Sequence, residues 1–245
     1  MESACIRVGT DCSGIESPIQ ALKLLNIPFH HVFSSEIDQH CINAIKSNYS
    51  PDIIFGDKSG KFPDGDITRR KISSIPDIDL YVCGFPCQPF SVAGKKQGLN
   101  DPRGNIFWSC LSVIKQKSPK YFILENVKGL LTHDNGNTWS VIWSELVDLK
   151  KYGYSVRYKV LNTRDYGIPQ NRERLYIVGV KDQDFDWPEP VEMDDLEYYI
   201  DTNDTRKQAI PEFAKDFLTR INQKSIFVSM GFRQKTYANA HLYCG

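Results

Sequence analysis

The sequence lacks a net charge. Its 245 residues carry 30 Lys and Arg against 30 Asp and Glu. Proteins that grip nucleic acid by bulk electrostatics usually carry a basic excess, so this balance argues against that mode for the chain as a whole and leaves only a local basic groove. The seven cysteines, at 5, 12, 41, 83, 87, 110 and 244, include no C-x-x-C pair. Zinc-finger spacing is therefore absent, and the odd count speaks against a disulfide framework, so reduced thiols and no bound metal are expected. No run of 18 apolar residues occurs, and the opening segment MESACIRVGT has no long apolar stretch. Neither a membrane span nor a secretory signal is expected. The expected location is the cytoplasm, or the nucleus or host cytoplasm for a eukaryotic or viral source. Internal repeats and low-complexity tracts are also missing. What remains is an ordinary globular composition, 41% apolar and 24% charged, in a chain long enough to bury roughly 70–75% of its unfolded surface.

The first 180 residues alternate short apolar runs with amphipathic stretches. Strands are expected at 6–8, 31–35, 52–55, 80–83, 121–124, 154–161 and 175–180. Apolar residues at helical spacing predict helices over 18–25, 37–49, 106–117 and 138–149. The runs Leu80-Tyr81-Val82-Cys83 and Tyr121-Phe122-Ile123-Leu124 have no polar alternation, as expected for strands buried on both faces. This β-α-β-α order predicts an α/β fold with a doubly wound, mostly parallel sheet. Ligands of such sheets bind outside the carboxyl ends of the strands. The polar and glycine-bearing segments 10–17, 35–38, 84–91 and 125–127 fall there.

After residue 181 the character changes. Residues 182–210 read as an acidic connector containing Pro188 and Pro190. A helical piece over 211–221 and a strand-rich tail fill 211–245, which reads as the start of a region left incomplete. The expected domain plan is thus a core over 1–181, the connector, and this final segment.

Four segments carry chemistry. In Gly84-Phe85-Pro86-Cys87-Gln88-Pro89-Phe90-Ser91, a cysteine directly follows a buried strand and lies between prolines that restrict its backbone. An isolated cysteine is usually a packed hydrophobe, but this context favours a reactive thiol. Glu125-Asn126-Val127 follows the apolar run 121–124, where a carboxylate is costly to desolvate unless it has a partner or a task. In Gln170-Asn171-Arg172-Glu173-Arg174, two arginines two apart on an extended segment point the same way. The segment Thr10-Asp11-Cys12-Ser13-Gly14-Ile15-Glu16-Ser17 reads as a strand-turn-helix connection. Glu36, about 20 residues on at the end of the second strand, is placed to bond ribose hydroxyls.

Together these residues resemble the DNA (cytosine-5) methyltransferase family, from about Ile6 to Val180 and in the family's order. The resemblance includes Asp101-x-Arg103-Gly104 and the stretch from Leu161-Asn162 to Tyr166-Gly167-Ile168-Pro169-Gln170. The run His133-Asp134-Asn135-Gly136-Asn137-Thr138 looks like that of bacterial restriction-modification members. The resemblance implies the fold of S-adenosylmethionine-dependent (Rossmann-like) methyltransferases. It implies that Cys87 attacks C6 of a cytosine, that Glu125 holds N3, and that Arg172 and Arg174 position the base. It implies S-adenosyl-L-methionine as methyl donor, leaving S-adenosyl-L-homocysteine. Cys12, Ser13, Gly14 and Ile15 would line the donor, Glu36 and Ile37 its ribose, Asp66 and Ile67 its adenine, and Pro86 and Ile106 its flank. Double-stranded DNA is the implied partner, and Ser91, Lys95, Lys96 and Arg103 would lie on a loop that closes on it.

The chemistry explains the set. Cytosine C5 is a poor nucleophile, and thiolate attack at C6 makes an enamine whose C5 can take a sulfonium methyl. A partner at N3 that carries or shares a proton accommodates the charge that builds on the ring. None of this can occur inside a stacked duplex, so the base must be flipped out. Two departures stand out. Many members have an aromatic residue and further glycines where this chain has Cys12, Glu16 and Ser17. The target-recognition domain and the two motifs that follow it in the family are not found, so a truncated chain, a split enzyme completed by a second chain, and a degenerate remnant are all open. A non-catalytic module and a tRNA cytosine-5 methyltransferase are the competing functions.

Overall fold

The computed structural model describes residues 5–86 and 106–194. Among the described residues, seven strands form one sheet in the order β3-β2-β1-β4-β5-β7-β6. They are β1 Ile6–Asp11, β2 Phe29–Ser35, β3 Ile53–Phe55, β4 Leu80–Cys83, β5 Tyr121–Val127, β6 Tyr154–Asn162 and β7 Glu173–Lys181. The described helices are α1 Ser17–Leu24, α2 Gln39–Asn48, α3 Ile106–Lys117 and α4 Asn137–Val147. β1 pairs parallel with both β2 and β4, β2 with β3, and β4 with β5. β7 pairs antiparallel with β5. The sheet is therefore doubly wound and mostly parallel, and the strand order reverses between β1 and β4, where a crevice is expected. Among the described residues no helix is long and apolar enough to cross a membrane.

Local chemistry accounts for the helix starts. Asp38 caps α2 through its side chain, which accepts from the His40 and Cys41 amides at 2.7 and 3.4 Å, satisfying two of the donors a helix start leaves orphaned. Pro18 occupies the first turn of α1, where its missing N–H costs nothing. The two sheet faces carry separate cores. Val8 packs with Ile19 and Leu22 of α1 on one side. The larger cluster on the other side includes Phe33, Phe55, Tyr81, Phe107, Phe122, Ile142 and Leu146.

One strand, β5, differs from the expectation in two ways. The burial of β5 alternates, with Phe122, Leu124 and Asn126 buried and Ile123 and Glu125 half-buried, whereas the apolar run suggested burial on both faces. β5 also runs on through Glu125, Asn126 and Val127, because β7 pairs with every residue of it from Tyr121 to Val127.

The chain divides into two compact units: Met1–Leu161 with Glu173–Trp187, and Asn162–Arg172 with Pro188–Gly245. Within the second, Asn162 closes a short loop, its Oδ1 accepting from the Arg172 amide at 3.1 Å and its Nδ2 donating to Asn171 Oδ1 at 2.7 Å. Tyr166 bridges to Val191 in the same unit.

Two glycines let phenyl rings lie flat on the sheet. Gly9 is the register partner of Phe33, and Gly179 of Phe122. A Cβ at Gly9 would fall 2.1 Å from Phe33 Cε1, and one at Gly179 would fall 2.0 Å from Phe122 Cε1. Gly179→Ala is expected to cost about 1–3 kcal/mol through overpacking, read as a lower urea midpoint, and Phe122→Leu in the same chain should recover part of the loss.

Candidate active site

The carboxyl ends of β1, β2 and β3 meet at one rim. Between β1 and α1 the backbone turns sharply, with Cys12, Gly14 and Glu16 all at positive φ (50°, 53° and 64°). For the two non-glycine residues this costs roughly 1–2 kcal/mol each, which the surrounding bonds must offset. Ser13 supplies much of that hold. Its amide donates to the Ser35 carbonyl at 3.1 Å, and its Oγ accepts from the Ser35 amide at 2.9 Å. Glu16, one of the three residues that set this turn apart, is fully buried. Its Oε1 accepts from Thr10 Oγ1 and Ser34 Oγ, both at 2.6 Å, and lies 3.4 Å from His31 Nε2. Glu16 therefore braces the turn from behind, while Ile15 is 63% exposed at its front.

Glu36 follows β2 directly. Its Oε2 accepts from the Gly14 amide at 2.9 Å, and its Oε1 from the Ile37 and Asp38 amides at 2.7 and 3.1 Å. Three backbone donors thus fix this carboxylate across the gap between the β1 turn and α2. Its own carbonyl is crowded by two bare backbones: a Cβ at either Gly56 or Gly65 would fall 1.9 Å from Glu36 O. These two glycines allow the segment after β3 and the arm carrying Asp66 to close on the end of β2. Asp66 is held within its own turn, accepting from the Thr68 amide and Oγ1 at 2.9 and 2.7 Å and pairing with Arg69 Nε at 3.1 Å. Ile67 beside it is buried in the larger core.

The arm ends in Arg70, whose guanidinium grips Asp11, the last residue of β1, through two hydrogen bonds of 2.7 and 2.6 Å. Both side chains are almost wholly buried, at 5% and 0% exposure. Tyr81 adds its hydroxyl to Asp11 Oδ2 at 2.6 Å. The guanidinium also stands over the Phe55 and Phe33 rings, 4.7 and 5.4 Å from their centroids. Burial alone would lower the Arg70 pKa, and the Asp11 charge and hydrogen bonds outweigh it and raise it. Composition and spacing gave no signal for this cluster, because its members are 59 and 70 residues apart.

The second half of the site lies at β4, β5 and β7. Asn126 Nδ2 donates to the Phe85 carbonyl at 2.7 Å in a buried setting, and the Phe85 side chain is itself buried, 5.8 Å from the Phe107 ring. The chain leading to Pro86 is thus fastened to β5 and to α3, which Ile106 begins. A Cβ at Gly84 would stand 3.4 Å from Glu125 Oε2, so the main chain after β4 passes beside that carboxylate. Glu125 Oε1 pairs with Arg174 Nε at 2.9 Å, with side-chain exposures of 31% and 22%. In register, Arg174 faces Val127 and Glu125 faces Tyr176, so the pair is a diagonal across one face of the sheet. Among the described residues no hydrogen bond reaches Glu125 Oε2.

The structure thus brings Glu125 and Arg174 together, and separately Cys12, Ser13, Gly14, Glu36, Ile37, Asp66 and Ile67 around the β1–β3 rim. Arg172 belongs to the second unit, with its amide on Asn162. Cys87, Ser91, Lys95, Lys96 and Arg103 lie outside the described residues. Of the cysteines nearby, Cys83 is fully buried, and burial followed by its contacts with Cys110 and Cys12 pushes its thiol pKa well up. It is a poor nucleophile.

A doubly wound sheet of this order with a polar rim at the carboxyl ends defines the class: the fold is that of S-adenosylmethionine-dependent methyltransferases. The Dnmt2 methyltransferase of S. pombe superposes with a TM-score of 0.57 at 25% identity, over 74% of this chain and 53% of that one. The Entamoeba histolytica methyltransferase EhMeth gives 0.59 at 20% identity, over 86% and 64%. In sequence, the chain is 44% identical over 200 residues to the type II methyltransferase M.HaeII of Haemophilus aegyptius, covering 80% of this chain and 58% of that protein. It is 48% identical over 162 residues to M.NgoBI of Neisseria gonorrhoeae, covering 66% and 47%. The model of the C-5 cytosine-specific DNA methylase family matches residues 11–238. The chain belongs to that family, and it spans about half the length of the curated relatives it matches.

Asn126→Ala is expected to leave the buried Phe85 carbonyl without its donor. The cost should be about 1–3 kcal/mol, measured as a loss of unfolding free energy in urea.

Proposed function

We propose that this chain transfers a methyl group from S-adenosyl-L-methionine to C5 of a flipped-out cytosine in double-stranded DNA, through a covalent bond between Cys87 and C6. The observation that carries the reading is Glu125, two residues before the end of β5. One of its carboxylate oxygens is held by Arg174, the other has no hydrogen bond among the described residues, and the chain that leads to Cys87 passes beside it. Family membership supports the same chemistry.

The rim residues fit a nucleoside. An ionised carboxylate offers about four acceptor positions, and three backbone amides use three of those on Glu36, leaving one on Oε2 for a ribose hydroxyl. Ile15 and Ile37 present exposed apolar side chains beside it, at 63% and 73% exposure, and would pack on an adenosine. Asp66 and Ile67 would meet the adenine, Cys12, Ser13 and Gly14 the rest of the donor, and Pro86 and Ile106 its flank. When bound there, S-adenosylmethionine supplies an electrophilic methyl group.

Cys87, as thiolate, adds to C6 and breaks the aromaticity of the ring. Glu125 faces N3 through Oε2 and shares a proton there, so that charge does not accumulate on the base. Arg174 fixes the Glu125 oxygen that does not take part, and Arg172 helps orient the base. After methylation the C5 proton leaves and Cys87 is eliminated, restoring the ring. The segment bearing Ser91, Lys95, Lys96 and Arg103 would contact the DNA. The domain plan proposed with this function is the core over 1–181, the connector over 182–210 and the incomplete recognition region over 211–245. A second chain supplying the missing part is one way to complete it.

Duplex DNA carrying 5-fluorocytosine cannot release the C5 substituent, so incubation with S-adenosylmethionine should trap a protein–DNA adduct that survives denaturing electrophoresis. Cys87→Ser should give none. Glu125→Gln should slow methyl transfer by about 10²-fold or more, the usual scale for a lost proton-transfer group. Absence of an adduct, with the chain alone and with a chain supplying the remaining length of its relatives, would sink the reading.

A further inference from the structure

We propose that Asp11 and Arg70 are positioning residues, whose buried ion pair sets the spacing between the two segments that hold the cofactor: the turn after β1 and the arm carrying Asp66 and Ile67. The inference rests on the cofactor reading given above and deepens it. Asp11 is the residue immediately before Cys12, and Arg70 lies four residues beyond Asp66. Each end of the pair is therefore rigidly tied, through a few bonds, to one side of the adenosine site.

Among the described residues the arm has few other ties, the Phe62 carbonyl accepting from the Gly56 amide at 2.8 Å. The hydrogen bonds of Asp66 stay within residues 64–69. Ile67 anchors the arm by burial, which is non-directional. Ser35 Oγ adds one bond of 3.3 Å to the Gly65 carbonyl. Among the described residues of the arm, Arg70 alone delivers a two-pronged, planar contact to the sheet, at 2.7 and 2.6 Å. A bidentate guanidinium–carboxylate pair fixes orientation as well as distance. The Phe33 and Phe55 rings confine the same guanidinium. Asp11 is in turn fixed by the Tyr81 hydroxyl on β4, so its carboxylate has a single placement. Two well-packed apolar side chains could fill this volume at equal or better stability. What they would lack is direction.

The test separates stability from positioning. S-adenosylhomocysteine is titrated calorimetrically into the wild-type chain, Arg70→Lys, and the double variant Asp11→Leu/Arg70→Met, and each melting temperature is recorded. Arg70→Lys keeps the charge and loses the fork. The double variant replaces the pair by apolar volume. Both are expected to bind roughly tenfold more weakly, since small misplacements of binding groups are costly, and the double variant, in which apolar packing offsets the lost acceptor of the Tyr81 hydroxyl, should melt close to the wild type. Amide hydrogen exchange over residues 62–70 should quicken in both variants and stay unchanged in α3. If the variants bind as tightly as the wild type, the pair is structural only and the inference is overturned while the cofactor reading stands. If affinity returns together with melting temperature in the double variant, direction is not what the pair supplies, and the inference again fails. If the wild type itself does not bind S-adenosylhomocysteine, the cofactor reading falls first. Should the double variant not fold, Arg70→Lys decides alone.

Discussion

Everything in the site depends on where parallel strands end. A parallel pair needs a crossover that carries the chain back to the same edge, so each strand delivers its last residues to one rim. β1 delivers Asp11 and the Cys12–Glu16 turn, β2 delivers Glu36, β3 delivers Gly56, β4 delivers Gly84 to Pro86, and β5 delivers Glu125. β7 runs the other way. It reaches the same rim at its start, which is why Arg174 is its second residue and still meets Glu125. Reversing one strand thus adds a basic group to a rim made otherwise of strand ends.

Beneath that rim the sheet buries polar groups on both faces. On the α1 side, Thr10 bonds Ser13, and Thr10 and Ser34 both donate to Glu16 Oε1, while Glu16 Oε2 has no hydrogen bond among the described residues. On the opposite side lie Asp11, Arg70 and Tyr81. Buried carboxylates are expensive unless bonded, and each of these acids takes several short hydrogen bonds. The alternation of β1 places Thr10 and Asp11 on opposite faces, so two consecutive residues brace the same turn from two directions. The conformational strain at Cys12 and Glu16 is held in place by that double support.

The sequence made the fold legible because the apolar runs and helical spacings are strong and in the order β-α-β-α. It marked Glu125, Cys87 and Glu36 as candidates because each follows an apolar run that can be seen in the sequence, and of these Cys87 lies outside the described residues. It understated the length of β5: polar residues at 125 and 126 look like a strand's end, and only pairing with β7 carries the strand further. Glu16 could be marked as a departure, but its role depends on Thr10 and on Ser34, which is 18 residues away. Gly56 and Gly65 look like ordinary turn glycines until both are found against one carbonyl. Arg70 looks like a surface charge beside Arg69. Its partner is 59 residues away, and no local pattern records such a contact.

The two glycine–phenylalanine pairs, Gly9 with Phe33 and Gly179 with Phe122, bear on how this sequence can drift. In each, the side chain missing from one strand is supplied by the ring of its neighbour, so the two positions share one volume. The order of replacement then matters. A lineage that first trims the ring opens a cavity, which a later Cβ on the glycine can fill. A lineage that first adds the Cβ meets a collision before any remedy exists. These paired sites should therefore change together or not at all, with the ring moving first.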